Sequence, residues 1–139
     1  MASFNKFENW VKAICEKEVD CDTDTFKIYL SNATPSASAD LVKTDLAEIT
    51  NQNGYTAPAT VPGTNTSDQT GGVYSLLATG DVSWTASGGS FGPFQYVVLY
   101  DDTHASDALV GWWDYGSAIS VNTGETFTVD LSTTIFTVT

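Results

Sequence analysis

The second half of the chain is punctuated into short runs, and this punctuation limits the fold more than any other feature. Residues 73–79, 81–86, 94–100, 108–114, 118–121, 126–131 and 134–138 alternate or favour β-branched and aromatic side chains, with turn residues between them. Closely spaced short runs of this kind predict an antiparallel β-sandwich or barrel. Residues 94–100 (FQYVVLY) are apolar at nearly every position. That strand is expected at the centre of a sheet with both faces covered, because an open edge of this composition would aggregate. Asn122, Thr123 and Gly124, between two alternating runs, predict a hairpin with Gly124 in a left-handed bulge position. Abundant Thr, Ser, Gly and aromatic residues favour strands and turns over helices.

The opening of the chain has a different period. Phe4, Phe7, Trp10, Val11 and Ile14 recur at spacings of three and four, which predicts a short helix with one apolar face and Ser3 as its N-cap. The acid-rich stretch 16–24 ends it. Residues 25–30 then alternate, with Phe26, Ile28 and Leu30 on one side, as in a first strand. Residues 31–40 are small and polar, hence a loop. Residues 40–50 fit neither period and stay unassigned. Gly, Pro, Thr and Asn dominate residues 51–72, a long excursion with one strand near 55–60. The expected organisation is a helix or arm over 1–24 and an all-β domain over 25–139, an antiparallel β-sandwich of which a jelly-roll-like arrangement is one form. A chain of 139 residues suffices for one core.

Charge removes several classes of partner. The five lysines (Lys6, Lys12, Lys17, Lys27, Lys43) and seven acids fall in the first 43 residues; the other 96 carry ten acids and no base, there is no Arg, and the net charge is −12. Affinity for nucleic acid comes largely from Lys and Arg displacing counterions, so DNA and RNA are poor partners. Anionic membranes are disfavoured for the same reason. No run approaches eighteen apolar residues, and residues 1–11 lack a signal-peptide core, so synthesis in a cytoplasm is expected. In that setting the sequons at Asn32 and Asn65 mark polar loops. Cys15 and Cys21 read as free thiols.

The chemical motifs are weak. Residues 88–92 match G-x-S-x-G, but a nucleophile elbow needs a strand before it and a helix after it, whereas Pro93 and a β-rich run follow. The single histidine, His104, has its nearest acids, Asp101 and Asp102, immediately beside it, which leaves no separate element for a triad's acid. Residues 88–92 therefore read as a β-turn, and no catalytic residue is assigned. Asp20, Asp22 and Asp24, and Asp101, Asp102 and Asp107, offer hard oxygen ligands of the type Ca²⁺ takes. The first set has Thr25 and Ser31 where an EF-hand loop needs Gly and Glu, and both read as solvated acidic loops. One His and two Cys make no zinc site. No metal or cofactor is expected. Aromatic residues crowd between positions 84 and 115. Trp112 and Trp113 are adjacent there, so on a strand they point to opposite faces. One of them leaves the main core and is either covered by the amino-terminal segment or exposed for binding, a sugar-stacking platform being the rival use.

Several stretches resemble small structural proteins encoded near the major capsid gene of tailed bacteriophages. They are FNKFENWVKAI (4–14), FKIYLSNATPSASADLVKTDLAEITNQNGYT (26–56), SWTASGGSFGPFQYVVLYDDT (83–103) and LVGWWDYGSAISVNTGETFTVDLS (109–132). The likeness spans most of the chain and rests on extent rather than on a catalytic signature. Proteins of this kind look like capsid cement or decoration proteins, β-sandwich or jelly-roll units that hold neighbouring capsomers together. The resemblance implies a non-enzymatic virion protein on the capsid exterior, made in the host bacterial cytoplasm, with the phage major capsid protein and copies of itself as partners. A tail or baseplate component with a carbohydrate-binding role is the alternative. Candidate interface residues are Phe4, Phe7, Trp10, Trp112 and Trp113.

Overall fold

The computed structural model describes residues 2–63, 66–131 and 134–139; the sequon at Asn65 lies outside them. The elements run β1 (Phe4–Lys6), α1 (Glu8–Cys15), β2 (Phe26–Ser31), β3 (Ala59–Thr60), β4 (Thr66–Thr70), β5 (Val73–Leu77), β6 (Val82–Thr85), β7 (Phe91–Asp101), β8 (Ala108–Val121), β9 (Thr126–Val129) and β10 (Thr134–Val138). They form a five-stranded sheet in the order β1-β8-β7-β2-β3, a three-stranded sheet β10-β5-β4 and a two-stranded sheet β6-β9. All the pairings are antiparallel, and the fold is an all-β sandwich.

Strand β7 explains the arrangement. Its alternation sends Val97 and Leu99 to one face, where Ile28, Leu30 and Val110 join them against Leu76, Trp84, Ile135 and Phe136 of the small sheets. Tyr96, Val98 and Tyr100 go to the other face with Tyr29, Leu109, Phe7 and Leu46. Each of these side chains is at most 7 % exposed, so the run FQYVVLY is central and covered on both sides as its composition requires. Full burial of one such side chain stabilises by about 1.5–3 kcal/mol.

The unassigned stretch 40–50 supplies part of the second cover. Leu46 is buried, its carbonyl accepts from the Tyr29 hydroxyl at 3.0 Å, and Ser31 Oγ donates to the Ala47 carbonyl at 2.7 Å. Ile49 N–H donates to Leu30 at 3.0 Å. A segment pinned by side chains to a sheet face needs no period of its own.

Four expectations require correction. The helix starts at Glu8, because Phe4, Asn5 and Lys6 pair with Trp113, Trp112 and Gly111 as strand β1. Phe7 is then the N-cap, extended and without a side-chain cap bond, so Ser3 does not cap. Residues 108–114 and 118–121 are one strand, β8, interrupted by a bulge: Phe94 faces Ile119 while Tyr96 faces Asp114. Residues 122–124 do not close a hairpin. Gly124 has the expected left-handed φ of +88° and Glu125 N–H donates to Asn122 at 2.9 Å, but β8 pairs with β7 and β1, and β9 pairs with β6. The turn forms locally and carries the chain from one layer to the other. The excursion 51–72 contains two strands, β3 and β4, and the expected strand near 55–60 shrinks to Ala59–Thr60.

Candidate interaction surface

The amino-terminal segment crosses β8 and divides the five candidate residues between two faces. Phe4 and Trp10 turn to the inner face: the Phe4 ring meets Trp113 edge-on at 5.2 Å and stacks on Phe136 at 5.4 Å, and Trp10 meets Phe136 edge-on at 4.7 Å. Phe7 turns to the opposite face, 4.7 Å from Trp112, and its N–H donates to Val110 at 3.1 Å. Trp112 and Trp113 thus occupy opposite faces, Trp112 under the amino-terminal segment. Phe7 is fully buried and Trp10 is 3 % exposed, whereas Phe4, Trp112 and Trp113 are half-buried. The buried Trp10 Nε1 has no hydrogen-bond partner among the described residues.

Helix α1 has eight residues, too few to persist alone. Its Lys12–Glu16 ion pair at 2.6 Å is exposed on both sides and adds little. Packing of Trp10 and Ala13 on the core holds it in place. Gly111 permits the approach of β1, since a Cβ there would collide with the Phe4 ring and the Asn5 carbonyl.

Beyond Trp113, β1 no longer covers β8, and the bulge changes the direction of the chain. Asp114 Oδ1 accepts from Gln95 Nε2 at 2.9 Å and from Gly116 N–H at 2.8 Å, and Gly116 takes a φ of +95°. This fixes Tyr115, 56 % exposed, beside Phe127 with ring centroids 6.1 Å apart. Between β8 and β9 lies a cleft of about 220 Å³ lined by Val97, Trp113, Tyr115, Phe127, Val129 and Asp130, among others. Trp113 was legible as a candidate; Tyr115 and Phe127 were not, because the cleft depends on a bulge that nothing in the local pattern marks.

The two acidic loops come together. Asp101 is buried, its Oδ1 accepts from Thr103 N–H at 2.8 Å and His104 N–H at 3.2 Å, and its carboxyl lies beside that of Asp24. Burial first, and the Asp24 carboxyl second, push Asp101 up to about 7, so Asp101 keeps its proton in acid and loses it near neutrality. Asp101 is therefore not part of a solvated loop. Asp102 pairs with Lys27 at 2.7 Å and accepts from the Tyr100 hydroxyl at 3.1 Å. Among the described residues, no group of three or more His, Cys, Asp or Glu side chains is arranged to hold a metal.

The G-x-S-x-G stretch and His104 flank opposite ends of β7, separated by roughly 30 Å at about 3.3 Å per residue. Ser90 Oγ meets Asn122 at 3.4 Å and its carbonyl accepts from Asn53 Nδ2 at 2.7 Å, while His104 Nε2 lies 3.8 Å from Glu18. The turn expected over residues 88–92 is shorter: the chain bends at residues 88–89, and Phe91 and Gly92 already belong to β7, with Phe91 buried opposite Val121. Cys15 and Cys21 are free thiols; burial raises Cys21 to about 11, opposed by a hydrogen bond with Tyr74. No helix is long and apolar enough to cross a membrane among the described residues.

Comparison with protein-family models, with curated proteins and with solved structures gives no match.

Proposed function

We propose that the chain is a non-enzymatic structural protein of a tailed-bacteriophage particle: a head cement protein that binds the outer capsid surface and ties neighbouring major capsid protein subunits together, with copies of itself alongside. The phage assignment rests on the resemblance carried by the four stretches above. The observation that carries a binding role is the succession Trp112, Trp113 and Tyr115 on β8, next to β7, whose own aromatic and aliphatic side chains are covered on both faces. These three range from half-buried to exposed, and partly exposed aromatic side chains on rigid elements are the usual anchors of protein interfaces.

Charge supports the outer surface. Packaged DNA presses on the inner wall, where a domain with ten acids and no base in its last 96 residues would meet repulsion screened only over roughly 10 Å. The contact with the shell uses the lysine-bearing amino-terminal part and the exposed aromatics. A protein that binds only the assembled shell stabilises it by mass action.

Mass spectrometry of purified virions tests the assignment. Copies near those of the major capsid protein fit cement, a few copies per particle fit a tail or baseplate component, and absence from virions overturns both. Treating DNA-filled particles with an amine-reactive probe too large to cross the shell tests the location. Complete protection, while known outer proteins are modified, would place the protein inside.

A further inference from the structure

The cleft between β8 and β9 has a chemistry of its own. Three of its walls are aromatic: Trp113 from the core edge, and Tyr115 and Phe127 set at 65° to one another. Val97 and Val129 add apolar lining, and Asp130 is the acidic residue of the lining. At about 220 Å³ it is smaller than the ~300–1,000 Å³ of sites for whole drug-sized ligands, and matches one side chain. No Lys or Arg follows Lys43 anywhere in the chain, so the three strands that line the cleft, β7, β8 and β9, contribute acids or neutral groups only, and Ala2 adds a methyl group from the amino-terminal segment that also holds Lys6.

Tyr115 is the largest exposed apolar side chain of the domain, and it is held in place. A strand continuing regularly past Trp113 would not need Gly116 at positive φ, nor the Asp114 carboxylate bonded at once to Gln95 and to the Gly116 backbone. Bulges of this kind re-aim side chains beside binding sites. Aromatic faces around a small apolar space attract a cation through their quadrupoles, and a nearby carboxylate strengthens that attraction.

We propose that this cleft is a receptor for one cationic side chain, a lysine ammonium or arginine guanidinium, presented by a partner protein. Aromatic walls accept the alkyl stem and the charged head together, which neither a purely apolar pocket nor an exposed acidic patch does. The inference takes its protein partner from the preceding section, but the cleft is tested with small molecules, so it can fail while the capsid assignment stands, and the reverse.

The experiment is an NMR titration of the whole protein with N-acetyl-lysine methylamide and N-acetyl-arginine methylamide, with N-acetyl-norleucine methylamide as the uncharged control and methyl glucoside as a sugar. Saturable shifts confined to Trp113, Tyr115, Phe127 and Asp130 are expected with the two cations and not with the controls. Tyr115→Ala is expected to weaken binding about threefold to tenfold, Tyr115→Phe to preserve it because the ring face is unchanged, and Asp130→Asn to weaken it about twofold to fivefold. Equal response to norleucine overturns the proposal in favour of a plain apolar pocket. A response to methyl glucoside alone, lost in Tyr115→Phe, makes the cleft a sugar platform. No shift at tens of millimolar ligand means that it binds none of them. In a parallel titration with choline, binding of choline without lysine or arginine binding assigns the cleft to a lipid headgroup and equally overturns a protein partner.

Discussion

The two halves of β8 differ more than any two separate strands of the domain. From Ala108 to Gly111 the strand is buried, with β7 on one side and, on the other, Leu41 and Val42 beside Ala108 and Leu109, then Phe7 and Lys6 beside Val110 and Gly111; from Asp114 to Ala118 every residue is exposed. Of residues 114–118 only Asp114 keeps a partner on β7, opposite Tyr96, because the bulge takes up the rest. Coverage by the amino-terminal segment also stops at Trp113. One half of the strand is thereby committed to stability and the other is free for binding.

The largest expected contrast comes from truncating each half in turn. Leu109→Ala removes a buried side chain and should lower the unfolding free energy by about 2–5 kcal/mol in urea denaturation. Similar stability of the variant and the parent would mean that the second face of the sheet is not a packed core.

The pH profile sharpens the buried half further. Asp101, at the end of β7 paired with Ala108, is raised from 3.8 to about 7. The folded state therefore binds more protons than the unfolded one between those values, and stability falls as pH rises through that window. The ionisable side chains around the pair are Asp20 and Cys21, whereas the Lys27–Asp102 ion pair lies with Tyr100 on the other face of the sheet. Asp45 acts in the opposite sense: backbone N–H groups of Leu41 and Val42 lower it, so its small contribution is lost in acid. In Asp101→Asn the amide oxygen keeps the bonds from Thr103 and His104 while its NH₂ donates to Asp24. That variant should unfold at nearly the same urea concentration at pH 5 and pH 8, whereas the parent should lose a few kcal/mol at most over the interval. Identical slopes for the two proteins would remove the buried pair as the cause.

Gly111→Ala probes the boundary between the halves. The added methyl meets the Phe4 ring and the Asn5 carbonyl, and a cost of about 1–3 kcal/mol is expected, together with faster hydrogen exchange in residues 4–6. The smallest effect belongs to the exposed half. Tyr115→Ala should change stability by no more than about 0.5 kcal/mol, and a loss above 1 kcal/mol would make Tyr115 a structural residue.

The sequence displayed the features that depend on side-chain period. Strand β7, its cover on both faces, and the opposite directions of Trp112 and Trp113 follow from alternation alone. Features set by long-range backbone pairing stayed hidden. Phe4 and Phe7 keep helical spacing, yet pairing with β8 draws Phe4 into a strand and leaves Phe7 as the cap. The 122–124 turn was legible, but its chemistry does not specify which strand the departing chain will join. Asp24 and Asp101 sit in separate acidic loops, and only the fold makes them one buried pair. Strand β4 (TSDQT) is polar throughout, and its place comes from backbone bonds to β5 that leave no mark on composition.

Pairing of β1 with the middle of β8 also sets the order of events while the chain is being made. Phe4–Lys6 has no partner until Gly111–Trp113 has been translated, a wait of roughly 5–20 s at about 5–20 residues per second. The five-stranded sheet cannot close on a partial chain, and contacts this distant in sequence place folding in the slow, millisecond-to-second class. Unfinished chains therefore expose FQYVVLY to one another on the ribosome. A net charge of −12, carried mostly by segments that flank the apolar strands, keeps those nascent chains apart until the sheet closes.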